Sequence, residues 1–422
     1  MRTLRGCHLP VISGHHALSL YVGVFSERLL FSAILRQDPV VGKAARQAPN
    51  NGWSFVFLAS SPPVQLLQKF MIIATASTAS SKPPLAVGVI VNPASGRDMR
   101  RLLGWVSVFP TSEKVNVVLR LLSAMGSLGV EVAWMIPDSA GIALRVRDSA
   151  DIARASRGIP MPQVRLLQMA PEDGKADSAI AAGLMRQHGV QMIAVLGGDG
   201  THRAVATACA DVPLATLSTG TNNAFPESWD ATLVGLAGAL VLRGQVSPEI
   251  GLRRNKRLRV IGPGVDELAL VDVCFSRQLS TGARAVWRAE DLVELFVTFA
   301  EPTAMGLSSI AALSSPVSRE DPFGSHVSFG EGRLLNAIVM PGSMACVSIA
   351  NVSKLPIGVP VSLRPGQGTL AFDGEREFEV DQDSQLQIEL DWGGPLTLAV
   401  GPVLAEAARK GLLFMPPGAM QI

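Results

Sequence analysis

From Leu85 onward the chain alternates between short unbroken apolar runs and longer stretches whose apolar residues recur at helical spacing. The run Leu85 to Val91 stops abruptly at Asn92-Pro93, which predicts a buried strand feeding a loop. Glu113 to Leu128 carries Val115, Val118, Leu119, Leu122 and Met125 at helical spacing, with Gly126 and Gly129 near its end, and Val130 to Ile136 resumes as a strand. A less regular stretch contains a short strand candidate at Val164 to Met169. The helix Ala176 to His188, the strand Met192 to Leu196, the helix Thr201 to Cys209, the strand Pro213 to Leu217 and the helix Ala231 to Leu242 follow. Continuous apolar strands separated by helices belong to a parallel sheet covered on both faces. Residues 81–250 are therefore expected to form an α/β doubly wound, Rossmann-like domain.

Beyond Gly251 the periodicity shifts towards strands, at Arg257 to Ile261, Leu268 to Phe275, His326 to Phe329, Leu334 to Met340, Val347 to Ala350, Thr369 to Phe372, Glu377 to Val380 and Leu386 to Leu390. Residues 251–422 are expected to be a β-rich C-terminal domain, with a helical patch near Ala289 to Phe299. A C-terminal helix at Val403 to Leu412 is expected to pack on either domain, including back on the first. Residues 1–80 lack this alternation and end in the small-residue tract Ala74 to Ser81 before Lys82-Pro83-Pro84. They read as a poorly structured extension or a non-native N-terminus, with Met71 a candidate start of translation.

Composition narrows the function classes. A length of 422 residues with 48% hydrophobic content exceeds what one ordinary core covers, so two folded parts are expected. A net charge of +2 and only 5% aromatic residues provide neither a basic field nor stacking platforms, which argues against a nucleic-acid partner. Cys7, Cys209, Cys274 and Cys346 are too far apart for a zinc site or disulfide framework, and Cys209 and Cys274 read as core residues. A reducing, cytoplasmic setting fits them. Apolar runs such as Ala17 to Phe25 fall short of the ~18 to 20 residues of a spanning helix, so no transmembrane segment is expected. His15 and His16 stand where a signal peptide needs its apolar stretch.

The chemistry concentrates at Gly197-Gly198-Asp199-Gly200-Thr201, between an apolar strand and a helix. Glycines let backbone amides approach phosphate oxygens, and a helix N-terminus adds partial positive charge. Asp199 is then a candidate general base towards an acceptor hydroxyl, or a partner of the metal that accompanies a nucleotide. The competing reading is a glycine-rich turn capped by Asp199 or Thr201. Asn92 at a strand's carboxyl end, with Ser95 and Gly96 leading to Arg97, Arg100 and Arg101, is placed to bind a ligand's polar groups, or else is an Asn-Pro turn with solvated arginines. Thr219-Gly220-Thr221-Asn222-Asn223 offers hydroxyls and amides for ribose or phosphate, or else caps the next helix. Phe372-Asp373-Gly374-Glu375 lies between two strand-like runs, where a hairpin turn accounts for Asp373 and Gly374 but does not require Glu375. The basic run Arg253, Arg254, Lys256, Arg257 and Arg259 reads as a solvated face, and His202 as a phosphate contact or an exposed first-turn residue.

The three loops in this order, Asn92-Pro93-Ala94-Ser95-Gly96, Gly197 to Thr201 and Gly220-Thr221-Asn222-Asn223, resemble the signature of the NAD kinase, diacylglycerol kinase and sphingosine kinase superfamily. Asp373-Gly374-Glu375 resembles the acidic element of its lipid-kinase branch. NAD kinases and diacylglycerol kinases carry an acid close to the paired asparagines, whereas Ala224-Phe225-Pro226 follows here. The combination with His202 is most similar to the AcoX group, acetoin-catabolism proteins classed with the ATP-NAD kinases. The resemblance implies ATP as phosphoryl donor with Mg2+ or another divalent cation, and a small-molecule acceptor, NAD or another alcohol. Homo-oligomer formation is left open. It further implies a catalytic role for Asp199 and Glu375. Nucleotide contacts are implied from Asn92, Ser95, Gly96, Gly197, Gly198, Gly200, Thr201, Thr221, Asn222, Asn223 and Asp373. A lipid or small-alcohol kinase, and a nucleotide-binding regulatory protein with weak or lost transfer, are the alternatives.

Overall fold

The computed structural model describes residues 7–13, 16–25, 28–33, 83–96, 109–172, 174–220, 223–278, 289–340 and 342–414. The chain divides into two units, Met1–Lys82 and Pro83–Ile422. In the first, β1 (Cys7–Ser13), β2 (His16–Phe25) and β3 (Arg28–Ala33) form an antiparallel meander, with Ser13 paired to His16 and Phe25 to Arg28. The apolar run Ala17 to Phe25 is thus strand. Residues 34–82, with Met71 among them, lie outside the described residues.

In the second unit, β4 (Ala86–Val91), β5 (Val132–Met135), β6 (Gln163–Leu166), β7 (Met192–Gly197) and β8 (Leu214–Ser218) pair in parallel, in the order β6-β5-β4-β7-β8. Two late strands extend this sheet. They are β20 (Leu396–Leu398), parallel to β8, and β9 (Leu252–Arg254), antiparallel to β20. The unbroken apolar character of β4 follows from burial on both faces. Val87, Val89 and Val91 join one core layer, while Ala86 and Ile90 join the other.

The first layer is closed by α1 (Thr111–Ser127), α2 (Ile142–Arg157), α5 (Ala231–Leu242) and α8 (Val400–Lys410), and the second by α3 (Lys175–Gln187) and α4 (Asp199–Ala206). Helix α5 approaches α1 closely because a Cβ on Gly235 would stand 2.4 Å from the Leu121 carbonyl oxygen. The C-terminal helix packs back on this part, burying Val403 and Ala407 against α5 and the short α6 (Pro248–Gly251).

The remaining strands form two antiparallel sheets. One runs β15 (Ser343–Pro356), β14 (Phe323–Met340), β13 (Leu292–Val297), β12 (Asp272–Ser276), β17 (Gly368–Phe372) and β18 (Glu375–Val380). The other runs β11 (Val265–Ala269), β10 (Arg257–Gly262), β19 (Gln387–Asp391) and β16 (Val361–Ser362). Leu258, Val260, Ile388 and Leu390 of the smaller sheet meet Phe275, Phe296, Leu370 and Phe372 of the larger in one core. Helix α7 (Ser308–Ser314) covers the larger sheet's other face through Ile310 and Ala311.

Several expectations change. The helical patch at Ala289 to Phe299 is a 3-10 turn followed by β13, whose six residues are all buried. A central strand with apolar residues towards two cores loses the alternation that separates strand from helix. The run Leu268 to Phe275 divides into β11 and β12, because the Leu270, Val271 and Asp272 amides are held by Asp373. His326 to Phe329 and Leu334 to Met340 are one strand, β14, interrupted by bulges. Helices α2 and α7 escaped the periodicity. No helix among the described residues is long and apolar enough to cross a membrane.

Phe275 is a direct probe of the intersheet core. Phe275→Ala is expected to lower unfolding free energy by about 3–5 kcal/mol. Denaturant titration checks this, and a loss below about 1 kcal/mol would place the ring outside the shared core.

Candidate active site

The chain leaves β4 through α1 towards β5 on one side and returns through α3 to β7 on the other. The carboxyl ends of β4 and β7 therefore flank a topological switch point, where open α/β sheets leave a crevice for ligands. The loops that begin at Asn92, Gly198 and Thr219 leave adjacent strands β4, β7 and β8 at these ends.

The first loop is fastened from both sides. The Asn92 backbone amide donates to the Leu196 carbonyl (3.1 Å), and its Nδ2 donates to Thr201 Oγ1 (2.9 Å). Its Oδ1 accepts from the Ala94 amide (2.9 Å), and Ser95 Oγ donates to the Asn92 carbonyl (2.7 Å). Lys114 is fully buried beneath, and its Nζ donates to the Asn92, Pro93 and Ser95 carbonyls at 2.7–2.9 Å. An ammonium carries three donors, so this cage uses them all. The sequence signal for Lys114 is its place on the buried face of α1 with Val118, Leu121, Leu122 and Met125, where a lysine stands among apolar residues. Gly96 has φ +73°, and a Cβ there would stand 2.9 Å from the Thr219 carbonyl oxygen, so it brings the first loop against the third. Arg97, Arg100 and Arg101 lie outside the described residues.

In the second loop, Gly197 ends β7 under the Thr201 side chain, whose Cβ would lie 2.6 Å from a Cβ on Gly197. Gly198 caps α4, and its carbonyl accepts from the Thr201 and His202 amides at 3.0 and 3.1 Å. Asp199 and Gly200 form the helix's first turn, where amides have no intrahelical acceptor. The nearly buried Asp199 carboxylate reaches the third loop. Oδ1 accepts from the Ala224 and Phe225 amides (3.1 and 2.9 Å), and Oδ2 accepts from Ala224 (3.0 Å).

His202 is fully buried beside the Phe225 ring rather than exposed or turned to phosphate. Its Nδ1 lies 2.9 Å from the Gly198 carbonyl, which only accepts, so Nδ1 carries the proton. Burial outweighs that hydrogen bond and lowers its pKa to about 4.

Asn223 stitches the third loop together. Its Nδ2 donates to Ser218 Oγ (2.9 Å), and its amide lies between Gly198 and Gly220, where added Cβ atoms would stand 3.0 and 3.1 Å from it. Thr219 Oγ1 is buried with no hydrogen-bond partner among the described residues. Thr221 and Asn222 lie outside the described residues.

The β-rich part contributes Asp373. Asp373 and Gly374 have φ +52° and +77° and form the two-residue hairpin between β17 and β18, with Phe372 paired to Glu375. The Asp373 carboxyl is buried and accepts from the Leu270, Val271 and Asp272 amides at 2.8–3.3 Å, so it is more than a turn former. Burial raises its pKa to about 7, against the Arg203 guanidinium 3.4 Å away, and the Asp199 charge adds to the rise. Arg203 leaves α4 one turn beyond Asp199, so helix and hairpin meet across it. Glu375 opens β18.

The basic run is internally paired rather than simply solvated. Arg253 meets Glu227, Arg254 meets Asp211, Arg257 meets Asp391 and Arg259 meets Asp266. Lys256 is buried, donating to the Ser318, Asp321 and Phe323 carbonyls. No group of three or more metal-ligating His, Cys, Asp or Glu residues occurs among the described residues.

A doubly wound sheet with a glycine loop at its switch point, joined to a β-rich part that supplies a buried acid, defines an ATP-NAD kinase-like protein. Residues 159–241 match the ATP-NAD kinase N-terminal domain, and residues 256–393 match the acetoin catabolism protein X C-terminal domain. Acetoin catabolism protein X of Cupriavidus necator is 39% identical over 353 residues, which is 81% of this chain and 98% of the relative. The chain belongs to the acetoin catabolism protein X family.

Two measurements probe this site. His202 is held at about 4 when folded against an ordinary value of 6.5, so the unfolded chain binds more protons between these limits. Its stabilising contribution is present above pH 6.5 and is lost as pH falls towards 4, and a gap of that size is worth about 3 kcal/mol. His202→Gln should remove that part of the acid sensitivity, and equal pH slopes for both proteins would contradict it. Lys114→Met strips three part-buried carbonyls of their donor and should cost about 3 kcal/mol, with faster amide exchange across 92–96.

Proposed function

We propose that this protein transfers the γ-phosphoryl group of ATP to a hydroxyl of a small molecule, with the adenosine ribose 2′-hydroxyl of NAD as the first acceptor to test. The observation that carries this reading is the Asp199 carboxylate, fixed by the Ala224 and Phe225 amides at the glycine-rich start of α4. Phosphoryl transfer needs positioning and charge stabilisation more than covalent chemistry from the protein. Gly197 and Gly198 make room for the Thr201 and Asn223 side chains, Gly200 leaves the backbone bare where phosphate oxygens approach, and the amides of the first turn face developing negative charge.

Asp199 receives the proton of the acceptor hydroxyl as its oxygen attacks phosphorus in line with the departing ADP. Asn92, Thr201 and Asn223 hold the loop geometry, and Thr219 Oγ1 has hydrogen-bonding capacity for the nucleotide. Ser95, Gly96, Thr221 and Asn222 complete the nucleotide side in this reading, while Asp373 and Glu375 close it from the β-rich part. The Asp199 carboxylate is a hard donor of the kind that suits Mg2+ shared with substrate phosphates. That residue and the nucleotide phosphates would hold the cation, which would supply neutralisation of phosphate charge. Free Cys209, Cys274 and Cys346 suit a cytoplasmic enzyme.

The test is ADP release from full-length protein with MgATP across NAD, NADH, acetoin-related alcohols and diacylglycerol, with the phosphorylated product identified. Asp199→Asn should lower kcat by about 10²- to 10⁴-fold while ATP still binds. Turnover on the lipid alone would select a lipid kinase. Tight ATP or NAD binding without ADP release on any acceptor would overturn transfer in favour of a regulatory nucleotide-binding protein.

A further inference from the structure

Arg319, in the segment between α7 and β14, grips the peptide that holds Asp199 from its far side. Its side chain is 5% exposed. Nη2 donates to the Ala224 carbonyl (2.6 Å) and Nη1 to the Phe225 carbonyl (3.1 Å). The Ala224 carbonyl belongs to the same peptide group as the Phe225 N–H, which donates to Asp199 Oδ1 at 2.9 Å. A peptide group is planar, so fixing its oxygen fixes the direction of its hydrogen. Guanidinium, peptide and carboxylate form a chain of three in which each hydrogen bond polarises the next.

The fork is itself anchored. Nε donates to Glu301 Oε1 (3.0 Å), the guanidinium lies 3.9 Å from the Phe299 ring centre, and Lys256 binds the Ser318, Asp321 and Phe323 carbonyls on either side of it. Two carbonyls of consecutive residues need a two-pronged rigid donor, which arginine supplies and lysine does not.

We propose that Arg319 is a positioning residue for Asp199. From the β-rich part it sets the orientation of the 224–225 peptide and, through it, of the carboxylate at the α4 N-terminus. The inference rests on Asp199 being the residue that acts in transfer. Its structural half, the coupling from Arg319 to the Phe225 amide, stands independently of turnover.

The experiment compares Arg319→Lys with Glu301→Gln in the full-length protein, by hydrogen exchange over 223–226 and by steady-state kinetics. Arg319→Gln replaces the lysine variant if that fails to fold. The arginine variant should exchange the Phe225 amide at least about 10-fold faster and lose about 10- to 100-fold in kcat, with the KM for ATP within about 3-fold. Glu301→Gln retains both prongs on the 224–225 peptide and should keep wild-type exchange and kcat. Wild-type exchange at Phe225 in the arginine variant overturns the coupling. Faster exchange with unchanged kcat leaves Arg319 a fold clamp and overturns its positioning role. Should the wild type transfer no phosphoryl group, the function fails on its own assay while exchange still decides the coupling.

Discussion

The contact between the Asp199 carboxylate and the Ala224 and Phe225 amides joins two loops that the sheet brings close but does not itself connect. A carboxylate offers about four lone-pair sites, and amides directed at them form charge-assisted hydrogen bonds, stronger than those between neutral groups. The contact sets where the third loop crosses the end of β7, and with it the place of Asn223 between Gly198 and Gly220. Asn92 adds the first loop through Thr201, and Gly96 closes it against Thr219. The geometry of the switch point depends on this set of polar contacts among segments that run on past the ends of the strands.

Buried cations perform the same task beneath the loops. Lys114 gathers three carbonyls beneath the first loop, and Lys256 gathers three from the segment carrying Arg319. Burying an ammonium is costly, and the effect is visible at Lys256, whose pKa burial lowers to about 8. The carbonyl cages recover part of that cost and give irregular backbone one arrangement. Loops can then carry chemistry while the sheet beneath stays rigid.

The two parts of the second unit meet through the same kind of chemistry. Asp373 sits in a hairpin turn, yet its carboxyl binds the amides between β11 and β12 and faces Arg203 of α4. Phe225, Leu270, Val271 and Phe299 pack into a small apolar cluster beside it. The α4 N-terminus is thus bounded by charged contacts and by a dry patch, which strengthens every electrostatic interaction nearby.

The sequence by itself determined the five strands β4 to β8, the covering helices α1, α3, α4, α5 and α8, and the places of the three loops, because buried strands and amphipathic helices leave their period in the chain. Loop positions followed from where apolar runs stop, and the Asp373-Gly374 hairpin from turn chemistry. Tertiary structure alone decided the rest. Strand β13 had no distinguishing alternation because both its faces are buried. Strands β9 and β20 joined the first sheet through pairings that no local pattern encodes. Lys114, Arg203 and Arg319 became part of the site because their partners are backbone carbonyls and a carboxylate brought near by folding. A hydrogen bond to a distant peptide depends on where that peptide ends up, and residue type carries no record of it.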